Sequence, residues 1–152
     1  MTVSMELIKQ LREETGVSIA KCKEALETSN GDIAKAKEIL KEFSAASAEK
    51  KADRTLAAGR LFSYVHANKQ IGTLLELSCE TDFVSANESF EQLGNDLALH
   101  ITAMGSTKES ILEEMFVKNP EIKIQDLLNE AMQKTGERVE ISKIARFVVG
   151  QD

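Results

Sequence analysis

The chain has no tryptophan, one proline (Pro120), two cysteines and aromatic residues at only 5% of its 152 positions. Cys22 and Cys79 are too few for the disulfide framework of a small secreted domain, so both are expected as reduced, packed thiols. No apolar run approaches the roughly 20 residues that span a bilayer, and the amino terminus is acidic and amphipathic instead of signal-like. A cytoplasmic location is therefore expected, and a membrane partner is not. Histidine is scarce as well: His66 and His100 share no zinc-like spacing with the cysteines, so no metal site is expected. Gly105-Ser106-Thr107-Lys108 lacks the spacing of a phosphate loop and follows a helical pattern, not a strand, so the chain is expected to bind no nucleotide or other cofactor. The net charge of −6 disfavours nucleic acid as a direct partner. Lys21, Lys23, Lys35, Lys37 and Lys41 are interspersed with acids and read as a solvated helix face.

What is present is an apolar fraction of 42%, enough for one modest domain plus a small satellite that together bury about two thirds of the unfolded surface. Residues 4–42 carry three helical stripes. Leu7, Ile8 and Leu11 mark the first, which Gly16 stops; Ile19, Cys22, Ala25 and Leu26 mark the second, with Ser18 as its cap and Asn30-Gly31 as its end. Asp32 caps the third, whose apolar positions are Ile33, Ala36, Leu40 and Phe43. Helices this short are marginal alone, so a mini-bundle over residues 1–43 is expected. Residues 44–58, rich in Ala, Lys and Ser, read as a linker, in part helical.

Residues 59–152 read as an α+β unit. Arg60–His66 and Gln70–Leu77 flank Ala67-Asn68-Lys69 as an antiparallel hairpin, with Asn68 taking the tight turn. Phe90, Leu93, Leu97, Ile101 and Met104 recur at helical spacing and cover one sheet face, and Gly105 ends that helix. A further helix is expected over Ser110–Phe116 with Pro120 in the loop beyond it, and another over Ile124, Leu127, Leu128, Ala131 and Met132 up to Thr135-Gly136. The last strand, Val139–Val149, breaks alternation near Ser142, which reads as a bulge. The fold class is thus α+β: three amino-terminal helices, a linker, then a three-stranded antiparallel sheet covered by helices on one face.

The most informative stretch is Leu75–Val84. Leu75, Leu77 and Cys79 point one way and Glu76, Ser78 and Glu80 the other, as in a half-buried strand. At Thr81-Asp82 the alternation stops in short polar residues that bond nearby backbone, which leaves Phe83 at an exposed corner. Cys79-Glu80-Thr81-Asp82-Phe83-Val84 resembles the Cys-x-Thr-Asp-Phe-Val segment of the elongation factor Ts (EF-Ts) family, guanine nucleotide exchange factors for the translational GTPase EF-Tu. Other pieces fall in the family's order: Leu11–Gly16, Cys22–Leu26, Asn30–Ile33 and Gly136-Glu137 before the last strand. The amino-terminal helices resemble the ubiquitin-associated (UBA) fold.

The resemblance implies that the chemistry occurs in the partner. It implies EF-Tu, GDP-bound and nucleotide-free, as that partner, with Asp82 and Phe83 entering beside its magnesium and phosphate site and Thr81 and Val84 shaping the tip. It implies a second contact through the helical module at Val17, Ile19, Ala20 and Cys22. Lys21 departs from the family's common Asp before Cys-Lys, which puts that contact in doubt. Many members carry a second core subdomain and an inserted helical hairpin; this chain has room for one core subdomain, so it is similar to the short form.

Two other classes fit parts of the chain: a UBA-like adaptor acting through residues 4–42 without exchange activity, and a thiol enzyme pairing Cys79 with His66 or His100. Finally, the last strand carries Ile144, Phe147, Val148 and Val149, more apolar side chains than one face of a small sheet hides, so a noncovalent homodimer through the carboxy-terminal sheet is expected.

Overall fold

Ser4, Ser18 and Asp32 each accept a hydrogen bond from the backbone N–H three residues on, and these caps start α1 (Met5–Thr15), α2 (Ile19–Thr28) and α3 (Ile33–Lys51). A computed structural model describes residues 2–151. Gly16, at φ 70°, ends α1 in the left-handed conformation that a Cβ would strain. Ile8, Leu11, Cys22, Ala25, Leu26, Ala36 and Leu40 close a small core with Val3 and Val17.

The stretch expected as a linker begins as helix. α3 continues to Lys51, and its second half packs on α6 (Ile124–Thr135). Ser44 is buried and donates to Gln133 Oε1, while Ala48 packs against the larger core. The Ala-rich composition that suggested a connector is also that of a strong helix former, and its small side chains let another helix lie close. Lys51 is buried too, its ammonium bonded to the carbonyl and hydroxyl of Ser47; burial chiefly holds it below the usual lysine range.

β1 (Ala58–Val65), β2 (Ile71–Cys79) and β5 (Glu140–Val148) form an antiparallel sheet in the order β1-β2-β5. In the hairpin turn it is Lys69, not Asn68, that takes positive φ (61°); Asn68 contributes its side chain, which accepts from Gln70 N–H at 3.0 Å. The β2–β5 register steps from Glu76↔Lys143 to Leu77↔Ile141, so Ser142 is the extra residue of a bulge, tied by its hydroxyl to Ser78 at 2.6 Å.

α5 (Glu88–Met104) covers one face of the sheet, burying Phe90, Leu93, Leu97 and Ile101 over Phe62, Leu75 and Leu77. The helix expected over Ser110–Phe116 is absent. Ile111–Glu113 form a single 3-10 turn, and β3 (Met115–Phe116) pairs with β4 (Asn119–Lys123) as a small hairpin. The reason lies in two side chains: Phe116 turns inward against the His100 ring at 6.0 Å, and Glu114 is drawn to His100 Nε2 at 2.8 Å. Pro120 sits within β4, which a two-stranded ribbon with a free edge tolerates. Among the described residues no helix is long and apolar enough to cross a membrane.

α5 approaches the sheet at Gly94, where a Cβ would run into the ring of Phe62, which is itself tilted against Phe90 with centroids 5.9 Å apart. Gly94→Ala is therefore expected to destabilise the fold by about 1–3 kcal/mol although alanine favours helix. Urea unfolding measures the difference, and a variant as stable as the parent contradicts this packing.

Candidate functional site

β2 ends at Cys79, and the chain turns through Glu80 and Thr81 into α4 (Asp82–Ser85), a single helical turn. Thr81 caps it, its hydroxyl accepting from Val84 N–H at 3.4 Å. The four residues divide sharply. Val84 and Ser85 are buried, whereas Asp82 is exposed and Phe83 is 85% exposed, the most of any large apolar side chain among the described residues.

The base of the turn is held by two carboxylates. Glu137, just after α6, accepts the backbone N–H groups of Glu80 and Thr81 at 3.0 Å each and the Thr81 hydroxyl at 2.6 Å. Glu80 answers by accepting Arg138 N–H and the Arg54 guanidinium, the latter at 3.4 Å. Arg54 also donates to Gly136 O at 2.9 Å, and Arg138 to Arg54 O at 2.7 Å. These four residues carry no motif of their own. The one visible signal was Gly136-Glu137 ahead of the last strand.

Of the amino-terminal set, Ile19 is 45% exposed and Ala20 is exposed, whereas Val17 and Cys22 lie inside the module's core. Val17 and Cys22 thus shape that surface from within and offer no side chain to a partner. Lys21 is engaged within the module, 4.7 Å over the Phe43 ring and 3.5 Å from Glu24.

A thiol enzyme finds no support in the geometry. Burial, then the Glu137 carboxylate, push the Cys79 thiol up, away from the reactive thiolate. Cys79 pairs with Ala58 at one end of β1, and His66 follows its other end, roughly 25 Å along the strand. His100 is fully buried and committed to Glu114 and, through Nδ1, to Val117 N–H at 3.1 Å. Gly105 is the left-handed cap of α5, and the following Ser106 donates to Glu114, so this stretch is a helix exit. Among the described residues no cluster of three metal-binding side chains occurs.

The site is thus an α+β scaffold that pins one turn and presents an aromatic and a carboxylate from it. The family model described as "Elongation factor TS" matches residues 80–152, from the turn to the end of the chain. Proteins named elongation factor Ts from Thermotoga neapolitana and Herpetosiphon aurantiacus are 38% and 33% identical to it over 196 and 198 positions, covering the whole of both chains in each case. The one from Thermotoga maritima is 37% identical over 99% of this chain and 98% of its own. The chain belongs to the elongation factor Ts family of translation elongation factors, which implies EF-Tu as its partner. Alignments of 196 positions against 152 residues mean that these relatives carry segments with no counterpart here.

The polar cluster around His100 has a pH consequence. Burial alone would raise the Glu114 carboxyl, but bonds from Ser106, His100 and Ser110 outweigh it and hold the group below its ordinary 4.5. A depressed folded value contributes stability that is complete above the unfolded value and is lost as pH falls through the folded one. Glu114→Gln should therefore be destabilised near neutrality and show a flatter loss of stability below pH 4.5 than the parent. Urea midpoints across that range check the slope, and parallel curves refute the assignment.

Proposed function

We propose that the chain is a guanine nucleotide exchange factor that binds EF-Tu·GDP and promotes GDP release by inserting the Asp82-Phe83 turn near the partner's magnesium and phosphate site. The carrying observation is Phe83, 85% exposed on a turn pinned from both sides. Linkage gives the mechanism. A wedge that fits only the GTPase conformation with a disordered nucleotide site weakens GDP by the factor by which GDP weakens the wedge. A differential affinity of about 5.5 kcal/mol shifts such an equilibrium from one state to the other, within reach of a few buried anchors. The chain itself performs no covalent step and acts in the cytoplasm.

The helical module, residues 1–43, supplies the second contact through Ile19 and Ala20, while residues 59–152 form the unit that carries the turn. The adaptor alternative has less support, because the exposed aromatic lies on the sheet unit and not on the module.

The test is release of fluorescent GDP from EF-Tu with excess unlabelled nucleotide. The full chain is expected to accelerate it, and Phe83→Ala to lose most of the acceleration with its melting temperature nearly unchanged. A core Phe would instead cost about 3–5 kcal/mol on truncation, so a large drop in melting temperature argues against the wedge.

The homodimer belongs to the same proposal. On the sheet face opposite α5, Leu61, Val65, Leu74 and Phe147 lie exposed together across three strands, Phe147 at 73% and Leu61 at 64%. A second copy packed on this face gives a closed two-fold contact. Light scattering over a dilution series should show a dimer that Phe147→Arg converts to monomer. A strictly monomeric parent at high micromolar concentration overturns it.

A further inference from the structure

We propose that Glu137 is the positioning residue of the exchange turn: it touches no nucleotide, and it sets the direction in which Phe83 and Asp82 leave the scaffold. The inference rests on the exchange reading above and adds to it a residue 54 positions from Phe83 in the chain, outside the turn's own sequence.

Among the described residues the Glu137 side chain makes three hydrogen bonds, all to the entrance of the turn: to two backbone N–H groups, of Glu80 and Thr81, and to the Thr81 hydroxyl. None goes to the loop between α6 and β5 in which Glu137 itself lies. An ionised carboxylate only accepts, so the Thr81 hydroxyl must spend its single proton on Glu137. Its lone pairs are then left facing Val84 N–H, the bond that caps α4. Glu137 thereby fixes both the backbone plane at Thr81 and the rotor that starts the helical turn. Phe83 follows two residues later on four residues of helix, too few to hold a direction by themselves.

The partner side of the clamp is fixed as well. Glu80 binds Arg138 N–H, the residue after Glu137, so each carboxylate holds the backbone beside the other. Arg54 bridges this pair to the end of α3. The geometry is that of a socket closed by two acids, with the aromatic set outside it.

The test compares the full-length parent, Phe83→Ala, Glu137→Ala and Glu137→Gln for GDP release from EF-Tu over a range of chain concentrations. A misaimed wedge still docks but opens the site poorly. Glu137→Ala should therefore lower the release rate at saturation by at least about tenfold, with the half-saturating concentration changed by less than about threefold. Glutamine can accept the same two N–H groups and donate to the Thr81 hydroxyl, so Glu137→Gln should recover most of the rate. A second measurement does not depend on activity: the Glu80 and Thr81 amides should be protected from hydrogen exchange in the parent and lose protection in Glu137→Ala.

If Phe83→Ala is inactive but Glu137→Ala works like the parent, the inference fails and the exchange reading stands. A glutamine variant as poor as alanine overturns positioning through these bonds, as does a rate loss that merely follows a fall in the folded fraction. If the parent releases no GDP, the exchange reading fails, and amide protection alone decides whether Glu137 holds the turn. Unprotected amides in the parent overturn it outright.

Discussion

The central strand is the constraint on which the rest depends. β2 is paired on both sides, buries Leu75, Leu77 and Cys79 beneath α5, and delivers the chain into the turn at Thr81. Shifting it by one residue would turn those three side chains away from α5 and aim Glu76 at the core. Its register is therefore the most strongly specified feature of the sheet, and the position of Phe83 inherits that certainty. The bulge at Ser142 absorbs the mismatch on the neighbouring strand, so β5 adapts to β2 and not the reverse.

Much of this was legible because it is local. A cap such as Ser18 or Asp32 acts within three residues, a left-handed stop such as Gly16 or Gly136 needs only its own φ, and alternation in β2 needs only neighbours. The turn at Thr81–Val84 belongs to the same class, which is why its exposure was readable. What escaped was set by distant partners. Nothing in Ser110–Phe116 announces that His100 will draw in Glu114, and that contact converts a plausible helix into a turn and a hairpin. The Ala-rich run after Phe43 likewise shows its role only once α6 lies against it. Glu137 and Glu80 are ordinary surface acids until the fold brings residues 57 positions apart into one socket.

The family match begins at Glu80, the first residue of the socket, and runs through Glu137 and Arg138. Membership of the elongation factor Ts family implies EF-Tu as the partner; the geometry adds a pinned turn that presents Asp82 and Phe83 from the scaffold.

α3 has a further consequence. Nineteen residues of helix make a rod about 28 Å long that belongs to both cores at once. The module surface at Ile19 and the turn at Phe83 are thereby held at a set distance and azimuth, so in the proposed complex engagement of one would present the other to its target at a high effective concentration. Avidity of this kind needs no strong single contact. It also makes helix length a coded quantity: one residue added within α3 would swing the module by about 100° around the axis and put the two proposed contacts out of phase, while leaving each surface chemically intact.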